Sequence, residues 1–201
     1  SLRGLAGFFT DYLWFDSLSQ GDTFGRLLTA RVIPALVFTV IFFAILLANL
    51  VIADRLAPKL RPMNAPTPED ELVSRYQQTT ARYRGRIRVG IAVFFALIAG
   101  IGVSSQWQQW ILFTHRVDFG KKDPQFHKDV GFYVFRLPFL TFVFDWLFAG
   151  LIIVLIVTAI AHYLNGGIRL QSPFQRVTPQ VKAHLSVILG LMALVKTAQY
   201  F

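Results

Sequence analysis

The stretch Val37-Phe-Thr-Val-Ile-Phe-Phe-Ala-Ile-Leu-Leu-Ala-Asn-Leu-Val-Ile52 contains 16 consecutive residues without a charge. Three further apolar runs follow, at 89–103, at 137–164 and from about Ala183 onward. A helix needs roughly 20 predominantly apolar residues to cross a bilayer. We therefore expect an all-α fold, a polytopic transmembrane helix bundle with four spans. Because the fourth run is still apolar at Phe201, we expect these residues to be a piece of a longer protein.

Composition argues against the alternative, a soluble all-α protein with buried helices. Charged residues make up 15% of the chain and hydrophobic residues 54%, whereas a soluble domain carries about 25% charged residues. The chain has no cysteine, so disulfides and thiolate metal sites are excluded within it. The net charge is +9. Its basic residues lie beside apolar blocks, so membrane topology and anionic lipid explain them better than a nucleic-acid partner, which we do not expect.

Loop charge predicts the orientation in a bacterial plasma membrane. The segment from Arg55 to Arg88 and the 165–182 loop together carry eleven basic residues, against eight on the opposite side. Basic loops favour the cytoplasm. The predicted order is an extracytoplasmic interfacial segment at 1–30, a span at 31–52, a cytoplasmic basic loop and helix at 53–86, a span at 87–106, an extracytoplasmic loop at 107–136, a span at 137–164, a cytoplasmic loop at 165–182 and the beginning of a span at 183–201.

Aromatic residues mark the predicted outer interface. Residues 5–15 place Leu, Phe and Tyr side chains on one broad helical stripe, which is typical of a helix lying in the membrane interface or packed on the bundle. Tryptophan prefers the interface, and four tryptophans are predicted as anchors at the outer side: Trp14, Trp107, Trp110 and Trp146.

Two groups of charged residues are candidate functional sites. Arg75, Arg82 and Arg86 share one face of a predicted cytoplasmic helix and are predicted to contact anionic lipid headgroups, unless they serve topology alone. Asp145 and Lys196 lie inside apolar spans, where an isolated charge costs about 2.5–3.5 kcal/mol on insertion scales. Counting from opposite ends places both in the outer half of the membrane, so we predict a neutralising pair. The alternative is that each reaches the headgroups separately.

The outer loop is the most chemically varied part of the sequence. Its acidic and histidine side chains could in principle hold a divalent metal: His115, Asp118, Asp123, His127 and Asp129. Their spacing matches no compact ligand motif, so we favour an ordered structural or partner-docking loop and predict no metal or other cofactor. Alternating residues in 130–137 suggest a short β-like segment. No hydrolase, P-loop or dinucleotide-binding motif is present, so no catalytic residue is predicted.

Three stretches resemble a known family: Asp11-Tyr-Leu-Trp-Phe-Asp-Ser-Leu18, Ala48-Asn-Leu-Val-Ile-Ala-Asp-Arg-Leu-Ala-Pro58 and Asp123-Pro-Gln-Phe-His-Lys-Asp-Val-Gly-Phe-Tyr-Val-Phe-Arg-Leu-Pro-Phe139. They are similar to the bacterial, mainly actinobacterial, membrane proteins grouped as uncharacterised protein family 0182. The resemblance implies about seven N-terminal membrane helices followed by a large extracytoplasmic region. It implies no activity, so it transfers no catalytic residue.

Three functional hypotheses follow from these observations. The first is a non-enzymatic plasma-membrane protein that anchors an extracytoplasmic region and assembles with other envelope proteins. The second is a transporter or lipid-handling permease, which needs polar residues inside the bundle; the candidates are Asn49, Asp145, His162 and Lys196. The third, a membrane hydrolase, would need residues outside this chain.

Overall fold

A computed structural model of the chain describes residues 2–58, 71, 75, 77–169 and 177–200. Within these ranges all regular secondary structure is helical, and the only β-type pairing consists of two isolated bridges. The expected all-α class is therefore confirmed. The α-helices are α1 Leu2–Ser17, α2 Gly21–Arg55, α3 Arg84–Ile101, α4 Trp107–Thr114, α5 Leu137–Leu164 and α6 Pro179–Gln199.

Short 3₁₀ and π segments extend these helices. The 3₁₀ turns Ala81–Tyr83 and Gly102–Gln106 lie inside one continuous helical stretch, Gln77–Thr114. The π-helical segment Phe132–Arg136 leads directly into α5. The helices therefore extend well beyond the apolar runs in the sequence. Polar residues at their ends can hydrogen-bond locally, as the Ser104 hydroxyl does to the carbonyl of Ile101 at 2.8 Å.

Four helices in the described ranges are long and apolar enough to cross a membrane: Gly21–Arg55, Gln77–Thr114, Phe132–Leu164 and Pro179–Gln199. They contain 35, 38, 33 and 21 residues, against roughly 20 needed for a crossing. The predicted number of apolar spans is confirmed. Only 17–22% of the apolar window of each helix is buried within this chain, so each window leaves apolar side chains exposed or half-buried.

The β-like segment expected at residues 130–137 is wrong. Val130 and Gly131 are α-helical, Phe132–Arg136 forms a π-helical turn, and α5 begins at Leu137. The amide of Phe132 donates to the carbonyl of Asp129 at 2.9 Å, which begins the helix locally. A run of eight residues, five of them aromatic or β-branched, is too short for periodicity to separate a strand from a buried helix turn.

The chain divides into two compact units, the first formed by residues up to Thr39 together with Gly100–Phe139. In this unit α1 packs through aromatic rings against Phe24 at the beginning of α2. The ring centroids of Phe8, Tyr12 and Phe15 lie 5.5, 5.7 and 5.6 Å from that of Phe24. A second aromatic cluster surrounds the buried Phe139, whose ring lies 5.5 Å from Trp110 and 4.8 Å from Phe113. Edge-to-face and tilted aromatic pairs therefore help hold the first unit together.

The second unit comprises Val40–Ala99 and the residues from Leu140 onward. Its core is a set of buried residues on four helices: Phe42, Leu46, Leu50, Ala92, Ala96, Val154, Val157 and Ile188. The members on α2 and α3 recur every four residues, so each helix presents one face to this core. The alanines of α3 are small, which lets neighbouring helices approach closely. This unit contains the polar groups described next.

Candidate functional site: a buried polar chain and an adjoining cavity

Three polar side chains from different helices form a hydrogen-bonded chain in the second unit. His162 of α5 is fully buried, and its Nε2 lies 3.0 Å from Nδ1 of His184 on α6. Nε2 of His184 lies 3.1 Å from Oδ1 of Asn49 on α2. The Asn49 amide nitrogen donates to the carbonyl of Ile45 at 2.8 Å. We call His162, His184 and Asn49 the polar chain.

The donors and acceptors in the polar chain have a fixed direction when the imidazoles are neutral. The Asn49 oxygen can only accept, so Nε2 of His184 donates to it. Nδ1 of the same ring must then accept from Nε2–H of His162. This leaves Nδ1 of His162 as a buried acceptor without a protein partner, and the buried hydroxyl of Thr158, one turn earlier, also has none. The polar chain thus links three helices and ends in two unused polar atoms.

Two glycines after α5 bring the two histidines together. Gly166 has a positive φ of 76°, and the amides of Gly166 and Gly167 donate to the carbonyls of Tyr163 and His162 at 2.9 and 2.8 Å. This is a Schellman motif, which ends the helix and satisfies its last carbonyls. A Cβ on Gly167 would lie 2.7 Å from the side chain of Val181. The turn therefore needs a glycine there to let α6 pack close to His162.

A second polar cluster lies nearby, in the same unit. Nε of Arg88 on α3 lies 3.1 Å from Oδ2 of Asp54 near the end of α2. The amide nitrogen of Asn165 donates to the other Asp54 oxygen at 2.7 Å. The Arg88 and Asp54 side chains are only 28% and 26% exposed, so solvent screens this pair less than a surface pair. Both carboxylate oxygens of Asp54 and the positive charge of Arg88 therefore have partners within the chain.

A cavity of about 220 Å³ adjoins this second cluster. Its walls have two chemical characters. One set of lining residues is apolar and includes Leu50, Ile91, Phe95, Val157 and Ile160. The other set is polar or charged: Asp54, Gln77, Thr80, Arg84, Arg88 and Asn165.

The predicted pair Asp145 and Lys196 is connected indirectly. Nζ of Lys196 donates to Oε1 of Gln199 at 2.7 Å, and Nε2 of Gln199 donates to Oδ1 of Asp145 at 2.7 Å. The ammonium also lies 4.6 Å from the centroid of the Phe148 ring, a cation–π distance. No direct ion pair joins the two charges in the part of the chain that the structure describes. Gln199, which was not a candidate from sequence, provides the link.

The predicted lipid-contacting arginines are exposed. The Arg82 and Arg86 guanidinium groups lie 6.0 and 5.8 Å from the Tyr83 ring centroid. Arg75 lies 4.0 Å from Glu71, with side chains 80% and 75% exposed. Such a surface pair contributes little, so these charges can still bind another anion. Contact with lipid stays a prediction.

The four predicted tryptophan anchors have different surroundings. Trp14 is 58% exposed and contacts Phe15 edge to face. Trp107 lies under the Arg31 guanidinium at 5.2 Å, and Trp110 packs on Phe139. Trp146 instead packs inside the second unit, where its indole N–H donates to the carbonyl of Ala99 at 3.0 Å. Trp146 therefore has a packing role in addition to any interfacial one.

The loop at 115–131 is organised by two carboxylates. Oδ1 of Asp129 accepts from the amides of Phe119 and Gly131 at 3.0 and 2.7 Å, and Oδ2 accepts from Gly120 at 2.9 Å. These bonds, the one from Phe119 foremost, hold the pKa of Asp129 below its usual value. Oδ2 of Asp123 accepts from the amides of residues 125 and 126 at 3.2 and 2.7 Å. The carboxylates are thus used to fold the loop.

Backbone geometry explains the remaining features of this loop. His127 has a φ of 54° and Gly120 one of 70°, both in the left-handed region. A Cβ on Gly131 would collide with the carbonyl oxygen of Val117. Among the described residues, no three His, Asp or Glu side chains are close enough together to hold a metal ion. Gly120, His127 and Gly131 are therefore explained by the backbone conformation of the loop.

Comparison with known proteins gives a consistent result. The family model described as "Uncharacterised protein family (UPF0182)" matches residues 1–201. This chain belongs to that family. Among its relatives are UPF0182 proteins of Frankia alni (38% identity over 95% of this chain), Streptomyces coelicolor (38% over 98%) and a Nocardioides species (35% over 100%). The chain spans 18–20% of the length of these relatives. No solved structure matches it.

Membership of UPF0182 confirms the resemblance inferred from the sequence, and the structure explains the most distinctive stretch. In Asp123–Phe139 of this UPF0182 chain, the two aspartates bind backbone amides, Gly131 allows a close backbone approach and Phe139 fills an aromatic core. The polar chain and the Asp54 cluster were only partly foreseen. Asn49 and His162 were candidates, whereas His184, Asp54, Arg88 and Asn165 were not, because their partners are distant in sequence.

Replacing Asp129 by Asn should loosen the loop. The asparagine amide would offer only one acceptor oxygen to three backbone N–H groups. Its NH₂ group is a donor, so it would repel at least one of these N–H groups instead of accepting from it. We expect faster tryptic cleavage after Lys121, Lys122 or Lys128 than in the protein with Asp118→Asn, a matched exposed change with no described hydrogen bond. Equal cleavage rates would contradict the role assigned to Asp129.

The lowered pKa of the Asp129 carboxylate predicts that the stability of the loop depends on pH. Its folded pKa is lowered, so its stabilisation is fully present above the unfolded pKa of about 3.9 and is lost as pH falls through the lower folded value. Amide exchange at Phe119, Gly120 and Gly131, corrected for intrinsic rates, should therefore increase below about pH 4. The Asp129→Asn protein should lack this step, and a wild type without it would contradict the assignment.

Proposed function

We propose that this chain is a membrane-anchoring helical module of a bacterial plasma-membrane protein, and that it assembles with other helices of the same protein or of the envelope. The observation that carries the proposal is the low burial of its apolar helices: in the apolar window of each, 17–22% is buried within the chain. Lipid can cover the remainder, but close-packed partner helices can do so as well. The chain is also a fifth or less of its relatives.

The exposed apolar residues provide a surface for such assembly. On α3, Phe94, Leu97 and Ile98 of the second unit are 52–60% exposed. On α6 Leu194 is 65% exposed. In the loop at 115–131, the Asp129 carboxylate is used to bind backbone amides, and the described residues form no group that could hold a metal ion. The chemistry of this loop supports a docking or structural role on the outer side, in accord with the proposed anchoring function.

The second candidate function is a transporter or lipid-handling permease. Two observations favour it: polar side chains converge between helices in the polar chain, and a cavity adjoins the Asp54 cluster. Polar groups inside apolar bundles often belong to transport paths. Both hydrogen bonds made by the histidines of the polar chain, however, join neighbouring helices, which is equally expected of groups that hold helices together.

Cysteine labelling tests the proposed orientation. Cysteines replacing Arg75 and Lys121, both exposed, should react oppositely with a membrane-impermeant thiol reagent in cells expressing the full-length protein. We expect reaction at position 121 in intact cells and at position 75 only in inverted vesicles. The unsubstituted protein provides the background. Reaction at position 75 alone in intact cells would reverse the orientation.

Photo-crosslinking tests assembly. A photoreactive amino acid at Leu97 or Leu194 of the full-length protein should form protein–protein crosslinks in native membranes. The same amino acid at Gln108, an exposed polar position, is the comparison. Crosslinks to lipid alone at both apolar positions would contradict assembly and leave a single-protein anchor or permease.

A further inference from the structure

On each of three helices, the residues that line the 220 Å³ cavity are polar toward one end of the cavity and apolar toward the other. On α2 the apolar Leu50 precedes Asp54, and on α5 Val157 and Ile160 precede Asn165. Along the chain of α3 the order is the opposite, and the polar Arg84 and Arg88 come before the apolar Ile91 and Phe95. Since Asp54 is bonded to both Arg88 and Asn165, the polar residues of the three helices lie together. The cavity therefore has one polar end and an apolar interior.

Among the described residues, one positive charge at the polar end has no ion-pair partner. Arg88 is paired with Asp54, whose other oxygen is held by Asn165. Arg84, one turn before Arg88, also lines the cavity but forms no ion pair with any residue in the described ranges. A ligand that complements this end carries a single negative charge close to Arg84.

The apolar interior is large enough for a hydrocarbon group. Apolar cavities of about 150 Å³ stay dry and bind molecules such as benzene, and this cavity has a volume of about 220 Å³. From Arg84 to Phe95 the α3 wall rises about 16 Å at 1.5 Å per residue, which matches an extended segment of acyl chain. Ile160, 53% exposed, lies at the rim, so a chain can enter from the side.

We propose that this cavity binds one acyl chain of an anionic phospholipid, with the lipid phosphate at Arg84. Basic pockets between membrane helices are known to take anionic headgroups, and the helices that form this one are apolar enough to lie among lipids. A soluble phosphate would use Arg84 alone and leave the apolar wall without a ligand. The site goes beyond the proposed anchoring function, and it lies on a different set of arginines from Arg75, Arg82 and Arg86.

Native mass spectrometry of the full-length protein in mild detergent tests the site. Added phosphatidylglycerol should remain bound at one copy more readily than phosphatidylcholine. Arg84→Gln should reduce that preference about five-fold, corresponding to about 1 kcal/mol for one cation near a lipid phosphate. The matched control is Arg55→Gln, which removes an equal charge at the exposed end of α2 but does not line the cavity.

A second variant tests the apolar half. Ile160→Trp at the exposed rim should occupy the entrance and remove retention of both lipids, while thermal stability shows that the protein remains folded. Equal loss of preference in Arg84→Gln and Arg55→Gln would overturn the site in favour of general surface charge. Retention of lipid by folded Ile160→Trp, or binding of inorganic phosphate without phosphatidylglycerol, would also overturn it. None of these outcomes alters the cysteine-labelling or crosslinking results, so the anchoring proposal is tested separately.

Discussion

The hydrogen bonds between His162, His184 and Asn49 are the constraint on which the second unit depends. Each side chain comes from a different apolar helix, and each would lose hydrogen bonds if its helix rotated or slid. An unsatisfied buried polar group costs about 1–3 kcal/mol. Apolar contacts such as those around Leu46 and Ala96 tolerate small shifts more readily. The polar chain therefore selects one register for α2, α5 and α6.

That register also places the polar ends of the helices together. Asp54 follows Asn49 by five residues on α2, and Asn165 follows His162 by three at the end of α5. Holding Asn49 and His162 through their shared partner His184 therefore helps bring Asp54 and Asn165 into contact at 2.7 Å. Arg88 then completes the cluster, and the cavity forms beside it. In this account a lipid site and a helix-packing contact have one structural origin.

Sequence predicted the class and the number of long apolar helices because hydrophobic run length reports directly on membrane-crossing capacity. It did not predict helix ends, since polar residues such as Ser104 are compatible with continued helix. Depth counting predicted that Asp145 and Lys196 are near each other, but only coordinates reveal Gln199 between them. His184 was overlooked because it lies in the polar first turns of α6, where a histidine has no sequence signal for a partner on another helix.

A double-mutant cycle measures the central constraint most directly. His162→Leu, His184→Leu and the double variant of the full-length protein would be compared by thermal unfolding in detergent. Residues that share a buried hydrogen bond have coupling energies of about 0.5–3 kcal/mol. We predict that the double variant is less destabilised than the sum of the single variants, because each single change leaves the other histidine with an unpaired nitrogen. Additive effects within about 0.3 kcal/mol would contradict a polar chain that fixes the helix register.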